Sequence, residues 1–257
     1  MGRTIAIANQ KGGVGKTTTT VNLAAALAEG KCDVLLVDFD PQGNATSGVG
    51  VDKDTEGRSV YELLLGTADF DDVLIETDYK GLFLLPANIN LSGAEIDLID
   101  IDKREYLLRE ILNKQKKRFD FVLIDCPPSL NMLTINAMTA ADTVLVPIQC
   151  EYYALEGLSQ LIHTIKRIQQ KLNPKLELEG VVFTMYDSRN NLSKDVVRTV
   201  KQNLKENIYN TIIPRNVRLA EAPSHGMPIT EYASDSTGAE AYRHLAIEMV
   251  AYEENDN

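Results

Sequence analysis

The sequence has no tryptophan, three cysteines and three histidines among its 257 residues. Its cysteines, Cys32, Cys126 and Cys150, lie far apart and form no C-x-x-C pair, so the sequence indicates neither a disulfide framework nor a zinc site. No apolar run reaches the length of a membrane-spanning helix, and the N-terminus lacks the charged and apolar regions of a secretory signal. These absences predict a soluble, cytoplasmic protein.

Positive charge is also scarce. The chain has 26 Lys and Arg residues against 37 Asp and Glu residues, a formal net charge of −11. Long-range repulsion therefore opposes indiscriminate binding to polyanions, although a local basic patch remains possible. With 44% hydrophobic and 25% charged residues, a chain of this length suits one large α/β domain. We expect a single domain over residues 1–257, in which residues 253–257 form a frayed acidic tail.

A glycine-rich segment, Gln10 to Thr18, lies between an apolar run, Thr4 to Ala8, and a helix-like run, Thr17 to Glu29. Strand, loop and helix in this order cradle phosphates, because glycines let the backbone approach a ligand and helix N-terminal amides favour an anion. Lys16 would supply charge, and Thr17 a hydroxyl for Mg²⁺. The alternative is a glycine-rich turn with solvated lysines, which this order of features disfavours.

The loop departs from the usual G-x-x-x-x-G-K-[ST] pattern. Gln10 stands where a glycine is usual, and a second lysine, Lys11, opens the loop. The run K-G-G-V-G-K-T resembles the deviant Walker A motif of the ParA/MinD class of P-loop ATPases. That resemblance implies an ATP-dependent sandwich dimer in which Lys11 reaches the phosphates bound by the partner subunit. It also implies ATP and Mg²⁺ as cofactors, with the nucleotide held by Lys11, Gly12, Gly13, Val14, Gly15, Lys16, Thr17 and Thr18.

Two apolar runs end in aspartate. Val34 to Asp38 is typical of a buried parallel strand and leads into a loop with Asp40, at the strand end where ligands bind in open α/β sheets. Asp40 can hold a metal-bound water or orient an attacking one. Phe121 to Asp125 has the form of a Walker B strand, whose terminal aspartate reaches Mg²⁺ through water.

The segments D-x-D-P-Q-x-N and D-C-P-P-S, which begin at Asp38 and Asp125, also resemble ParA signatures. The resemblance implies that Asp40 is required for hydrolysis. The catalytic residues that the resemblance implies are Lys11, Lys16 and Asp40, and the residues that it implies for metal binding are Thr17, Asp40 and Asp125.

Strand-like and helix-like runs alternate along the rest of the chain. This alternation predicts a mostly parallel sheet with helices on both faces and right-handed crossovers, and the resemblance implies a P-loop NTPase of the deviant Walker A type. The predicted elements are a helix at Val60 to Leu65, a strand at Gly81 to Leu85, an amphipathic helix at Asp102 to Lys117, a strand at Thr143 to Pro147, a helix at Leu155 to Leu172, a strand at Leu178 to Met185, a short helix at Arg218 to Ala222 and a last helix at Ser236 to Tyr252.

The final third has a local excess of positive charge. From Asp187 to Arg218, seven basic side chains outnumber three acidic ones, a net +4. Four of them recur at three- and four-residue spacing on one helical face: Lys194, Arg198, Lys201 and Lys205. Such a run is usually only a solvated face. ParA proteins, however, bind DNA without sequence specificity through this part of the chain, and the resemblance implies DNA contacts at Arg189, Lys194, Arg198, Lys201 and Arg218.

The resemblance covers nearly the whole chain and implies a partition ATPase. ATP would drive a homodimer onto double-stranded DNA, at the nucleoid, and a ParB-like centromere-binding partner would accelerate an otherwise slow hydrolysis. Met185, Pro214 and Asn216 would contact the adenine. Since the chain starts almost at its first strand, without a helix-turn-helix extension, operator-specific repression is not expected.

Other functions remain open. A MinD-like membrane-associated positioning ATPase shares the loop but requires a basic amphipathic C-terminal helix, whereas the segment from His244 to Glu254 would be repelled by an anionic membrane, so no stable membrane association is expected. An electron-transfer enzyme like the nitrogenase iron protein needs two bridging cysteines per subunit, and Cys126 is expected to pack instead. A P-loop metabolic ligase is the third alternative.

Overall fold

An eight-stranded sheet runs through the centre of the protein. The computed structural model describes residues 2–53, 58–151, 154–204 and 208–256, with side chains to residue 251. In chain order the strands are β1 (Arg3–Ile7), β2 (Val34–Asp38), β3 (Ile75–Glu76), β4 (Leu82–Leu85), β5 (Phe121–Asp125), β6 (Thr143–Gln149), β7 (Glu177–Tyr186) and β8 (Ile208–Pro214). Their spatial order is β3-β4-β2-β5-β1-β6-β7-β8.

The strands are parallel except for the two-residue β3, which pairs antiparallel with β4. In β2 and β5 every residue is buried, as expected for strands covered on both faces. Their register pairs Asp38 with Asp125, and β1 places Ile7 beside Asp125 on the other side. Three strand ends therefore meet at one point of the carboxyl edge of the sheet.

Helices cover both faces. Those described are α1 (Lys16–Glu29), α2 (Asn44–Gly48), α3 (Val60–Leu65), α4 (Phe70–Val73), α5 (Ala94–Asp97), α6 (Leu107–Asn113), α7 (Met132–Ala140), α8 (Ala154–Lys171), α9 (Asn191–Asn203), α10 (Val217–Glu221), α11 (Ile229–Tyr232) and α12 (Thr237–Asp256). Two hydrophobic cores result, and successive strand residues alternate between them, with Leu35 in one core and Leu36 in the other. Helices α1 and α12 cover the Leu36 side, whereas α3 and α6 to α9 cover the Leu35 side. The predicted α/β fold is confirmed.

Some predicted helix bounds were wrong. The segment Asp102 to Lys117 is not one helix but a 3₁₀ turn, Arg104–Tyr106, followed by α6. Lys103 has a φ of 54°, in the left-handed region, so a right-handed helix cannot pass through it. Helix α12 continues to Asp256, four residues beyond the predicted end, and the fraying of residues 253–257 stays a prediction. Helices α2, α4, α5, α7 and α11 were not predicted.

Strand β8 forms one edge of the sheet, and a side chain from α12 covers part of it. The Glu248 carboxylate accepts hydrogen bonds from the backbone N–H of Asn210 (2.6 Å) and Thr211 (2.9 Å), and from the Thr211 hydroxyl (2.7 Å). These bonds satisfy backbone donors that an edge strand otherwise offers to another chain. Among the described residues, no helix combines the length and the apolar character needed to cross a bilayer.

Candidate functional site

The glycine-rich loop connects the central strand β1 to α1. Gly13 and Gly15 have φ values of 74° and 86°, in the left-handed region where side chains are strained. Gly15 is the N-cap of α1, and within the described chain no side chain caps the first N–H groups of that helix. A Cβ added at Gly12 or Gly13 would meet open space. The loop thus presents exposed backbone and a helix N-terminus, which together suit an anionic ligand.

Lys16 lies inside this loop. It is 7% exposed, and its Nζ donates a hydrogen bond to the Lys11 carbonyl at 3.3 Å. Burial lowers the pKa of Lys16, and the nearby carboxylate of Asp125 partly opposes this effect. A buried cation close to a carboxylate and a helix N-terminus can neutralise phosphate charge.

Lys11 is in a different environment at the head of the same loop. Its side chain is 40% exposed and forms an ion pair with Glu151, which is 46% exposed and follows β6. The Lys11 backbone N–H donates to the Asn9 side chain (3.0 Å), and Asn9 in turn donates to the Pro147 carbonyl (2.8 Å). The loop head is therefore fixed to β6, while the Lys11 ammonium lies near the surface. Glu151 was not predicted.

Asp125 ends β5 and lies beneath the start of α1. It is fully buried and accepts hydrogen bonds from the Thr17 hydroxyl (2.7 Å) and the Thr20 hydroxyl (3.0 Å). Burial raises the pKa of Asp125, and the adjacent Asp38 carboxylate adds to the rise. Carboxylate and hydroxyl oxygens are the hard donors that Mg²⁺ prefers, so Thr17 and Asp125 fit the metal site predicted for them. Thr20 was missed, although the run of four threonines could have suggested it.

The loop after β2 is built around Asp38. Its carboxylate is fully buried and accepts hydrogen bonds from the Thr46 N–H (2.7 Å), the Thr46 hydroxyl (2.7 Å) and the Asp40 N–H (3.2 Å). Burial raises the pKa of Asp38. The Thr46 hydroxyl also accepts from the Ala87 N–H (3.0 Å), beyond β4. Asp40 is 9% exposed and accepts from the Gln42 N–H (3.0 Å). Asp38 thus fixes the backbone that carries Asp40, a role that the sequence did not indicate.

The three residues predicted to contact adenine lie together. Met185, Pro214 and Asn216 line one cavity of about 200 Å³ that also includes Gly15 of the glycine-rich loop and Thr18 of α1. The Asn216 side chain caps α10 by accepting from the Arg218 N–H (2.8 Å). Two larger cavities, about 490 and 600 Å³, lie away from the loop, around Glu29 and Cys32 beyond the other end of α1.

One hydrogen bond connects the wall of this cavity to the glycine-rich loop. The Thr184 hydroxyl donates to the Val14 carbonyl at 2.8 Å, in a buried position. Thr184 directly precedes Met185, whose φ is 51°. Thr184 was not predicted, because nothing in a strand sequence shows which loop its end will contact 170 residues away.

The predicted DNA-contacting residues are all exposed, and they lie on α9 and on the segments after β7 and β8. Each of the three arginines pairs with a nearby acid: Arg189 with Asp187 (2.8 Å), Arg198 with Asp195 (3.3 Å) and Arg218 with Glu221 (2.8 Å). The Arg189 hydrogen bonds lower the pKa of Asp187 to about 2. Lys194 and Lys201 are exposed on α9, and Lys205 lies outside the described residues. The five predicted residues, which we call the basic cluster, are therefore at the surface, and the ion pairs neutralise part of their charge; their contact with DNA stays a prediction.

Cys126 directly follows Asp125 and belongs to a hydrophobic core. It is 1% exposed, and burial raises the pKa of its thiol. A buried, protonated thiol packs as a small apolar group and does not present a thiolate to a cluster.

Comparisons with known proteins find similarity along the whole chain. The AAA_31 family model, described as an AAA domain, matches residues 2–178. The sporulation initiation inhibitor protein Soj of Bacillus subtilis is 54% identical over 251 residues, which cover 98% of this chain and 99% of that protein. The chromosome partitioning protein ParA of Caulobacter vibrioides is 50% identical over 253 residues, covering 98% and 95%.

Solved structures agree with the fold. A Mycobacterium smegmatis protein described as cobyrinic acid a,c-diamide synthase, with bound ADP and magnesium, is 43% identical with a TM-score of 0.88, covering 100% of this chain and 97% of that one. The cell division ATPase MinD of Pyrococcus furiosus is 28% identical with a TM-score of 0.80, covering 98% and 100%.

Proposed function

The chain belongs to the Soj/ParA family of chromosome-partitioning ATPases, as its sequence motifs predict, and from this premise we propose how its ATPase cycle works. ATP binding assembles a sandwich homodimer that binds double-stranded DNA without sequence specificity. Hydrolysis is slow in isolation, and a ParB-like centromere-binding partner accelerates it and resets the protein. The ATP-bound dimer is located at the nucleoid.

The contrast between the two loop lysines carries this proposal. Lys16 is buried inside its own loop, whereas the Lys11 side chain is 40% exposed, and its ion-pair partner among the described residues is a surface glutamate, Glu151. A phosphate site within one subunit needs the first lysine but gives no reason for the second. Lys11 is close enough to the surface to leave Glu151 for the triphosphate of a facing subunit.

Each predicted site residue has a distinct role in the nucleotide site. The loop amides from Gly12 to Thr18 and Lys16 bind the phosphates, and the cavity with Met185, Pro214 and Asn216 takes the adenine. Thr17, Asp40 and Asp125 would hold Mg²⁺, and Asp40 is near enough to Asp125 for its charge to help raise the pKa of that carboxyl. When bound, the metal neutralises charge that develops on the phosphates. The Mycobacterium smegmatis structure, with its ADP and magnesium, supports these two cofactors.

Hydrolysis depends on Asp40, which orients the attacking water. Asp38 acts through it, because the Asp38 carboxylate fixes the loop backbone from Asp40 to Thr46. Positioning of this kind raises the rate by restricting the water to a productive geometry. Lys16 and Lys11 stabilise the phosphate charge of the transition state from the two subunits.

DNA binding uses Arg189, Arg218 and the basic side of α9. Arg189 and Arg218 lie just beyond the carboxyl ends of β7 and β8, where α9 begins and where Pro214 and Asn216 line the nucleotide cavity, so a dimer formed around nucleotide would bring two copies of this basic surface together. A doubled cluster of exposed basic side chains suits phosphate contacts without base readout. In one subunit, the arginines pair with their own acids, which weakens their attraction to DNA.

Two other functions have some support. The likeness to MinD favours a membrane-associated positioning ATPase. Helix α12, however, has no basic residue in its last turn, so its electrostatic attraction to an anionic membrane would be weak. The 43% identity to the Mycobacterium smegmatis protein favours a nucleotide-dependent ligase. A ligase consumes ATP only when its acid and amine substrates are present. Phosphate release in the absence of both substrates would therefore indicate an ATPase and not a ligase.

DNA binding measured with ATP, with ADP and without nucleotide tests the proposal. We expect binding with ATP alone, weakened in Arg189→Ala and lost in Lys11→Ala. Arg58→Ala is the matched control, since Arg58 is also exposed and also paired, with Asp72, but lies outside the basic cluster. Equal binding in all three nucleotide states would reject the cycle.

A further inference from the structure

The segment after β4 carries an exposed surface that the nucleotide site does not use. Ile89, Ile96 and Ile99 are 65%, 74% and 57% exposed. Four exposed acids accompany them, and no lysine or arginine occurs from Ala87 to Asp102. Lys103 and Arg104 follow directly, and the Arg104 guanidinium donates to the Ile99 carbonyl at 3.4 Å, so the acids outnumber the cations at this surface by four to two. We call this surface the acidic isoleucine face, formed by Ile89, Ile96, Ile99, Glu95, Asp97, Asp100 and Asp102.

Buried residues fix this face in position. Leu91, Ala94 and Leu98 alternate with the exposed isoleucines and are fully buried in the core. The Asp97 carboxylate is also held, since it accepts a hydrogen bond from the Tyr61 hydroxyl at 2.7 Å. Single exposed apolar side chains need no explanation, but three large ones within eleven residues of an anchored segment form a patch of the kind that marks interaction sites.

The composition of the acidic isoleucine face indicates which kind of partner could bind it. Apolar side chains surrounded by carboxylates match a protein segment with apolar side chains surrounded by lysine and arginine. DNA and anionic membranes would be repelled by the same carboxylates. A second copy of this chain, packed face to face about a two-fold axis, would bring like charges together.

We propose that the acidic isoleucine face binds a basic amphipathic segment of a partner protein. The inference rests on the proposed function in one respect, because that partner would be the ParB-like protein.

The order of the strands allows this partner and DNA to bind together. The face follows β4, near one end of the sheet, whereas Arg189 and Arg218 follow β7 and β8 at the other end. The strands that lead to the phosphate and metal residues, β2, β5 and β1, lie between them. A basic segment at the β4 end therefore does not compete with DNA for the basic cluster.

A labelled synthetic peptide provides the probe. It is a helix of about 18 residues with leucines on one face and lysine and arginine elsewhere, and a second peptide has glutamate at every basic position. Fluorescence anisotropy measures the binding of both to the full chain. The variants are Ile96→Ser with Ile99→Ser, and Asp100→Asn with Asp102→Asn. Ile247→Ser is the matched control, because Ile247 is 66% exposed on α12.

We expect the basic peptide to bind the wild type and the control equally, and each double variant about tenfold or more weakly, since truncating central apolar or charged contacts typically has such an effect. The glutamate peptide should not bind. Equal binding by wild type and double variants, or binding of the glutamate peptide, would overturn the proposal.

A second measurement identifies self-association. If the isoleucine variant abolishes ATP-dependent dimerisation in sedimentation velocity, the face binds a second copy and the proposal fails. The ATP-dependent DNA binding of both double variants should equal that of the wild type. A wild type that binds the basic peptide but not DNA would refute the proposed function while supporting the docking surface.

Discussion

The ion pair between Lys11 and Glu151 allows a quantitative test of the dimer. If Lys11 must leave Glu151 to reach the partner's triphosphate, the pair opposes dimerisation. Glu151→Gln removes the charge while keeping the length of the side chain. We therefore expect this substitution to strengthen the ATP-dependent dimer.

The exposure of the pair sets the size of the effect. Side chains that are 40% and 46% exposed form a screened ion pair, which contributes about 0.2–1 kcal/mol. A dimer breaks two such pairs, so the substitution should favour association by about 0.4–2 kcal/mol. That corresponds to a dimer dissociation constant lower by about two- to thirtyfold.

Sedimentation velocity over a range of protein concentrations measures the constant, with ATP present and hydrolysis blocked by Asp40→Ala in every sample. Asp72→Asn is the control, because it breaks a comparably exposed pair with Arg58, 54% and 52% exposed, away from the loop. An unchanged constant in Glu151→Gln would refute the idea that the pair opposes dimerisation. A weaker dimer would show instead that Glu151 supports the dimer.

Three further predictions concern the site and the basic cluster. Thr184→Val removes the hydrogen bond to the Val14 carbonyl and keeps the side-chain size, so urea unfolding should show a loss of about 1–3 kcal/mol, and an unchanged midpoint would contradict this. Arg189→Ala should reduce the slope of log DNA affinity against log salt by about 0.9 per arginine, or about 1.8 per dimer, whereas Arg58→Ala should not. Lys16→Ala should weaken binding of a fluorescent ATP analogue by about tenfold or more, because hydrogen bonds to charged groups contribute about 1.5–3 kcal/mol; an affinity within about twofold of wild type would remove Lys16 from the phosphate site.

Local patterns were enough to predict much of the fold and of the nucleotide site. The β1 strand, the glycine loop and α1 are contiguous in the chain, and β2 and β5 are short, continuous apolar runs that end in aspartate. Parallel strands of this kind place their ends at one edge, so Thr17 and Asp125 could be expected to meet, and the structure brings their oxygens to 2.7 Å.

Long-range contacts and backbone conformations could not be predicted in this way. Glu151 meets Lys11 across 140 residues and Thr184 meets Val14 across 170 residues, and neither member of a pair has a sequence pattern that selects the other. The helix expected from Asp102 to Lys117 was wrong because periodicity does not show that Lys103 adopts a left-handed conformation. The acidic isoleucine face was not predicted either, because acidic residues are common throughout this chain and the sequence does not show that three isoleucines after β4 are exposed beside them.

The Glu248 carboxylate on the β8 edge affects how many copies of the protein can gather without their sheets pairing. A protein that gathers in many copies along one nucleic acid raises its own local concentration, and an open strand edge would then invite sheet-to-sheet polymerisation. Because Glu248 of α12 accepts hydrogen bonds from the Asn210 and Thr211 N–H groups, that part of the β8 edge is less available for pairing with another strand. At the opposite edge of the sheet, β3 has two residues and offers few groups for pairing. If the proposed dimers gather on DNA, neighbouring dimers are therefore expected to remain separate units that can detach one at a time.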